Sequence, residues 1–415
     1  VIASHEAVVS GATEAEYKFA TSEALLIYLA AAVLVFAAVL WTANGPRLEK
    51  IDFSVTYLGA RMVHDGRGAQ LYDLTEQIKL RSSLYRDPNP LIFEHPPFEA
   101  LLLSPLAALP YKTAYLIWGF LNALIWLGLP LLLRPCAPVP AQWIPYLGLW
   151  LIFAPLGVAL FQGQSSLILL LFYALSYIYW RRDHSFIAGI CLGLGLFKFQ
   201  FVLPFAGILL LRRKWGFLGG FTVSAMFFGL LSLAATGWKG CLSYAKLLLS
   251  VGSNPQNVSY GSAVDMPTLH GFVHAVLGGA LPVRALSVIV AVISIFLLTF
   301  TAIRWEKAER VSRELSPPAF GAAIVLSLMA GLHMFTHDFS PLMLSLLIAM
   351  AYFPDYSHPA LRWCIAGCIG LFFFPASYFV LVARHKMFLI FPLLLVFWWC
   401  MTRLSGDEGR LWEDA

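Results

Sequence analysis

Charge is what this sequence has least of. Only 12% of its 415 residues are Asp, Glu, Lys or Arg, about half of the roughly 25% found in soluble domains. A water-soluble globule of this size would need far more. The apolar runs also lack the period-two alternation of barrel strands. There is no GxxxxGK[ST], and no GxGxxG that opens a helix after a strand, so a cradle for nucleotide phosphates is excluded. No GxSxG elbow is present. The six cysteines, Cys136, Cys191, Cys241, Cys364, Cys368 and Cys400, show no CxxC and no metal-ligand spacing, and read as small buried hydrophobes. Residues 1–23 lack the basic head of a secretory signal and read as a separate polar, mildly acidic segment.

What the chain has is hydrocarbon. Apolar residues make up 59% and aromatic residues 15%, and the mean hydropathy is +0.74. Several runs reach about 17–21 residues, enough to cross about 30 Å of hydrocarbon as helix. Backbone polar groups in lipid must be paired within the protein, which leaves helices as the solution. The predicted fold class is therefore all-α, a polytopic transmembrane helical bundle. Its membrane domain covers residues 24–402, and 403–415 form a cytoplasmic tail. The predicted spans are Ala24–Trp41, Thr113–Leu133, Trp143–Leu160, Ser165–Trp180, Phe217–Thr236, Arg284–Ile303, Pro318–Leu332, Phe339–Phe353, Arg362–Val382 and Lys386–Met401. Two polar stretches stand out, 42–96 and 237–282. The first holds two amphipathic pieces, near Val55–Val63 and Thr75–Leu84, expected to form short interfacial helices. A loop of that length usually carries function.

Basic residues set the orientation. Arg181-Arg182, Arg212-Arg213-Lys214, the run Arg304, Lys307, Arg310 and Arg313, and Arg403 all favour the cytoplasm. The first two clusters share a side only if Ser185–Leu211, interrupted by Lys198 and Pro204, is a hairpin. Counting back then requires Phe98–Leu109 not to cross. Both chain ends fall inside, while the two long loops and the turn at His333–Asp338 fall outside. The net charge of +5 follows from these basic loop ends and does not indicate nucleic-acid binding.

Candidate chemistry gathers on that outer side. Asp52, just beyond the first span, is either an N-cap for the helix that follows or a shielded base. Glu94 and His95, before Pro96-Pro97, are either a stiff loop end or hydrogen-bonding groups for a sugar or lipid phosphate. The tripeptide Gln162-Gly163-Gln164 is either a turn satisfied by its own amides or a lining of the outer cleft. Lys198 lies deep in an apolar stretch, where a charge costs about 2.5–3.5 kcal/mol or more. It either snorkels to an interface or pairs with a carboxylate or phosphate. His333, His337 and Asp338 offer a phosphate ligand, a proton relay or part of a metal site, but no third metal partner stands at fixed spacing. His270 and His274 share a face if Thr268–Leu277 is helical.

The segment Asp52-Phe-Ser-Val-Thr-Tyr-Leu-Gly-Ala-Arg-Met62, then Leu71-Tyr-Asp73, resembles the start of glycosyltransferase family 87. His95-Pro-Pro, Ala100-Leu-Leu-Leu-Ser-Pro-Leu106, Gly163-Gln164, Arg181-Arg182, Ala188-Gly189 and Lys198 with Pro204 follow in the family's order, over residues 50 to 215. His95 stands where the family usually has Tyr. The resemblance implies a GT-C-class bundle related to polyprenyl-phosphate-mannose-dependent mannosyltransferases, with a carboxylate of the first outer loop as base. That role carries over to Asp52. It implies substrate contacts for Tyr57, Arg61, Glu94, His95, Gln164, Lys198, His337 and Asp338. The implied partners are a polyprenyl-phosphate-linked sugar donor, a lipid or glycan acceptor and membrane lipids. No metal or other cofactor is expected, because a monophosphate leaving group can depart without one. The competing readings are a secondary transporter or lipid flippase, against which the two halves show no internal repeat, and a non-catalytic scaffold.

Overall fold

In the computed structural model the residues described are 22–86, 91–136, 143–251, 263–312, 315–355 and 358–404. The polar segment 1–21 and the tail beyond 404 lie outside them. The described chain is a polytopic helical bundle with no strand among the described residues. Helix α1 (Ser22–Asn44) leads to a short α2 (Phe53–His64), α3 (Leu74–Leu84) and α4 (Pro97–Leu103). Next come α5 (Tyr111–Leu133), α6 (Trp143–Ile152), α7 (Ala154–Gln162), α8 (Ser166–Arg181), α9 (Ser185–Gly193) and α10 (Phe199–Leu211). Then follow α11 (Trp215–Val251), α12 (Leu269–Leu277), α13 (Val283–Ser312), α14 (Pro317–Met329) and α15 (Leu342–Ala351), and lastly α16 (Pro359–Phe372), α17 (Pro375–Ala383) and α18 (Ile390–Leu404).

The two predicted interfacial helices are α2 and α3. Asp73 starts α3 in the ordinary way, its Oδ1 accepting from the Thr75 and Glu76 amides. Segment 97–108 does not cross the bundle. Just before it, Phe93 packs on Gly59 of α2, and near its end Arg61 Nη1 of the same helix donates to Ala107 O across 3.0 Å. Just after it, Lys112 Nζ reaches Asn44 Oδ1 at the C-terminal end of α1. Both ends therefore lie at the same end of the molecule.

By length and composition six described helices can cross a membrane, or up to eight when the bent pairs α6–α7 (54°) and α16–α17 (65°) each count as one. Helix α8 has the 16 residues predicted for it, while α14 and α15, with 13 and 10 residues, are shorter than the spans predicted there. All 13 residues of α14 are buried by other helices. A helix wrapped in protein need not match the hydrocarbon thickness, which is why these two fall short.

Ser185–Leu211 has the length and apolarity of a span, yet it doubles back. Ser176 Oγ of α8 donates to Ala188 O of α9, so α9 returns along α8. A Cβ on Gly189 would meet Phe217 O at 1.8 Å, and one on Gly220 would meet Phe186 O at 1.9 Å. Gly193 packs against Ser224 in the same way. Helix α9 and the start of α11 thus run side by side in one direction, and α10 between them must return. Gly189 and Gly193 form a small-xxx-small stripe that lets the two backbones touch. The arms have 9 and 13 residues, about 14 and 20 Å of helix. The tip, a 3-10 turn Leu194–Lys198, therefore ends inside the bundle.

The hairpin puts both basic clusters at one end. Arg212 and Lys214 each hold Glu309 Oε2, at 2.6 and 2.7 Å. Trp305 Nε1 donates to Glu309 Oε1, and the Trp305 ring meets Trp180, next to Arg181, with centroids 5.7 Å apart. Arg304 Nη2 reaches Thr402 O, beside Arg403. The predicted shared side of these basic groups is what the packing produces.

Candidate active site

At the opposite end, four elements converge: the start of α2, the α7–α8 turn, the hairpin tip and the α14–α15 turn. Asp52 occupies the N-cap position of α2 but makes no side-chain cap hydrogen bond. The amides it would cap are already used. Ser54 N–H donates to Ile51 O and Val55 N–H to Asp52 O. The Asp52 backbone is itself αR (φ −63°, ψ −27°), unlike the extended Asp73 that caps α3. The carboxylate is thereby left for other partners.

Gln164 Nε2 donates to Asp52 Oδ2 across 2.9 Å, and Gln164 Oε1 accepts from Lys198 Nζ at 3.2 Å. This is the amide orientation that satisfies an anion on one side and a cation on the other. Gln162 Oε1 accepts from the Asp52 amide at 3.3 Å. Left-handed Gly163 (φ +62°) makes the turn, and a Cβ there would strike Phe53 Cβ at 2.9 Å. Trp118 Nε1 donates to Gly163 O and fixes the turn from behind.

Lys198 does not snorkel. Its side chain is 8% exposed and its ammonium is 2.5 Å from Asp338 Oδ1. Ser166 Oγ donates to the same oxygen, and the Phe335 amide donates to Asp338 Oδ2. His337 stands between the two carboxylates, with Nε2 3.4 Å from Asp338 Oδ2 and Nδ1 3.7 Å from Asp52 Oδ2. Asp338 and His337 are buried, while the Asp52 side chain is 34% exposed. Asp52 is thus the accessible end of a charged chain whose rest is sealed in protein.

His95 closes the first long polar loop. Its Nδ1 is 3.0 Å from Glu99 Oε2, and the Glu99 side chain is 7% exposed. Burial lowers the His95 pKa, but the charge and hydrogen bond of Glu99 outweigh it, so the net shift is upward from 6.5. Asp52 adds to the rise, and Lys198 opposes it. His333, in the α14–α15 turn, is instead pulled down to about 4 by burial.

Of the predicted site residues, the structure gathers Asp52, Gln164, Lys198, His337 and Asp338 into one connected set. Glu94 and His95 sit at the adjoining loop end, both partly buried. Tyr57 and Arg61 lie elsewhere. Tyr57 Oη donates to Leu109 O, and Arg61 engages Ala107 O and Asp65. Both lie on the face of α2 that holds segment 104–109 rather than the face that carries Asp52. Gln162 was read from the sequence as a candidate lining of the cleft, whereas Glu99 and Ser166 were not singled out. Glu99 falls four residues after His95, an i,i+4 spacing that could have flagged it. His270 and His274 do share a face of α12, with ring centroids 4.2 Å apart, away from this cluster. Among the described residues no three His, Cys, Asp or Glu side chains are placed to hold a metal ion.

A polytopic bundle in which a polar centre joins a long polar loop to charges buried between helices has the form of a membrane enzyme. The family model of glycosyltransferase family 87 matches residues 93–336, more than half of the chain, and the chain belongs to that family. The matched stretch includes His95, Gln164, Lys198 and the α14–α15 turn up to Thr336, and it begins after Asp52. No curated protein and no solved structure matches the chain. Family membership makes it an integral membrane glycosyltransferase.

Proposed function

We propose that the protein transfers a hexose, mannose, from a polyprenyl-phosphate carrier to a hydroxyl of a lipid or glycan acceptor. Asp52 takes the acceptor proton as the oxygen attacks the anomeric carbon. Displacement from the opposite face inverts that centre, and the polyprenyl phosphate leaves with the bonding pair. The single observation that carries this reading is the Asp52 carboxylate. It occupies a cap position without capping, is partly exposed, and is oriented by Gln164 at 2.9 Å. A base must be accessible to its substrate and held in one rotamer, and this carboxylate is both.

The positive groups behind it suit a departing phosphate. Lys198 and His337 lie within one residue's reach of Asp52, and preorganised cations in a water-poor site stabilise developing anionic charge. Arg61, turned toward Ala107 and Asp65, is left out of this role. The basic clusters at the far end favour the cytoplasm, which supports a site on the extracytoplasmic face of the plasma (inner) membrane.

The test is a product assay with labelled polyprenyl-phosphate-mannose and a lipid extract. Asp52→Asn and Asp52→Ala should abolish transfer while expression and the elution profile stay as in the wild type. Near-normal turnover in either variant removes Asp52 from the role of base.

A further inference from the structure

Glu99 is buried with one partner. Its side chain is 7% exposed, and among the described residues its carboxylate meets only His95 Nδ1, at 3.0 Å. A carboxylate so placed is costly unless a cation faces it. As a residue in the first turn of α4 it also favours the helix dipole, but that accounts for a Glu near the N-terminus, not for one sealed against a histidine. The His95 backbone is pinned independently, with Tyr72 Oη donating to His95 O at 2.7 Å. Tyr72 stacks on Tyr244 of α11, and the Phe93 ring lies 5.4 Å from the imidazole. With Nδ1 taken by Glu99, the other ring nitrogen, Nε2, has no partner among the described residues.

We propose that Glu99 is a positioning residue that holds His95 as an imidazolium, leaving its Nε2–H to bind the phosphate of the lipid-borne donor. This rests on the reading of the donor as a polyprenyl phosphate and adds two residues to that site. Together, His95 from the loop and Lys198 from the hairpin tip bring cationic groups from separate elements toward the carboxylate of Asp52. A phosphate between them offsets the positive charge that these groups bring together.

The groups that act on His95 are Glu99 on α4, Asp52 before α2, Lys198 at the hairpin tip and His333 in the α14–α15 turn, with Glu94 adjacent in sequence. Glu99 and Asp52 raise its proton affinity, while burial and Lys198 lower it. The imidazolium is therefore present below the raised pKa and lost as pH climbs through it. Removing the Glu99 charge leaves burial and Lys198 in command, and His95 becomes neutral near pH 7.

The test is binding of polyprenyl monophosphate, without sugar, to the full chain in nanodiscs between pH 5.5 and 9. Wild-type affinity should fall as pH passes a midpoint above 6.5. In Glu99→Gln that midpoint should move down, with affinity at pH 7.5 about tenfold weaker, the loss of one charge-assisted hydrogen bond. Glu99→Asp should recover part of the loss. His95→Asn should bind as weakly as Glu99→Gln and without the step, and the double variant should be no weaker than either single one. Wild-type affinity and midpoint in Glu99→Gln overturn the proposal, as does additivity of the two single effects. Should Glu99→Gln not fold, a pH step that persists in His95→Asn overturns it. A wild type that binds no polyprenyl phosphate at any pH overturns the donor reading as well. Failure of the Asp52 turnover assay with normal pH-dependent binding leaves this inference standing.

Discussion

Gln164 Nε2 donates to Asp52 Oδ2 at 2.9 Å across 112 residues of chain. The same amide accepts from Lys198 through Oε1. One uncharged side chain therefore couples an accessible carboxylate to a buried ammonium, and neither charge can turn without disturbing the other.

Gln164→Leu keeps the volume and removes both hydrogen bonds. Turnover should fall about 10- to 100-fold, the range of a lost hydrogen bond to a charged group, with little change in the folded yield. Steady-state rates in the transfer assay beside size-exclusion profiles measure both. Wild-type rates would show that Asp52 is held by something other than Gln164.

The Lys198–Asp338 pair is asymmetric. Asp338 keeps Ser166, the Phe335 amide and His337 if Lys198 is lost. Lys198, among the described residues, keeps only Gln164 Oε1 if Asp338 is lost. Breaking a buried pair costs about 3–5 kcal/mol. Asp338→Leu should therefore lower the unfolding temperature more than Lys198→Met, and the double variant should regain stability without regaining turnover. Thermal unfolding in detergent gives the order, and the reverse order sinks the argument.

The hairpin puts Arg182 and Arg213 at the same end of the molecule. Single cysteines at these two positions should label from the same side of sealed vesicles, and a cysteine at exposed Asp73, near the site, from the other. Opposite-side labelling of the first two would make Ser185–Leu211 a crossing and reverse everything after it.

Backbone contact between α9 and α11 depends on the absence of a side chain. Gly189→Val places a Cβ where Phe217 O already stands, 1.8 Å away, so the helices must part and the hairpin tip must shift. Folded yield and turnover should both collapse. Gly207→Ala, on the return arm, meets nothing within 4 Å and should leave both unchanged. Equal tolerance of the two would mean that the close contact is not needed.

Much of the architecture was legible because membrane burial is a property of composition. The apolar runs announce helices, and the basic clusters demanded that Ser185–Leu211 turn back and that 98–109 stay on one side; the packing does both. Tyr57 and Arg61 came with the family motif, yet they face segment 104–109 because a helix as short as α2 must present one face to its support. The shortening of α14 and α15 was not legible, since hydropathy records what is apolar and not whether lipid or protein surrounds it.

Sequence alone determined that this chain lives in a bilayer, which end carries the basic residues, and which few polar residues stand where polarity is expensive. Whether Asp52 caps its helix or leaves its carboxylate to other partners was left open, because both uses need the same residue at the same position. Only the tertiary structure decided it, by satisfying the α2 amides with backbone carbonyls and bringing Gln164 to the carboxylate from 112 residues away. The buried partner of Lys198 was settled in the same manner, 140 residues on. Such pairings follow from where helices pack, and packing is a relation between distant segments that no local pattern encodes.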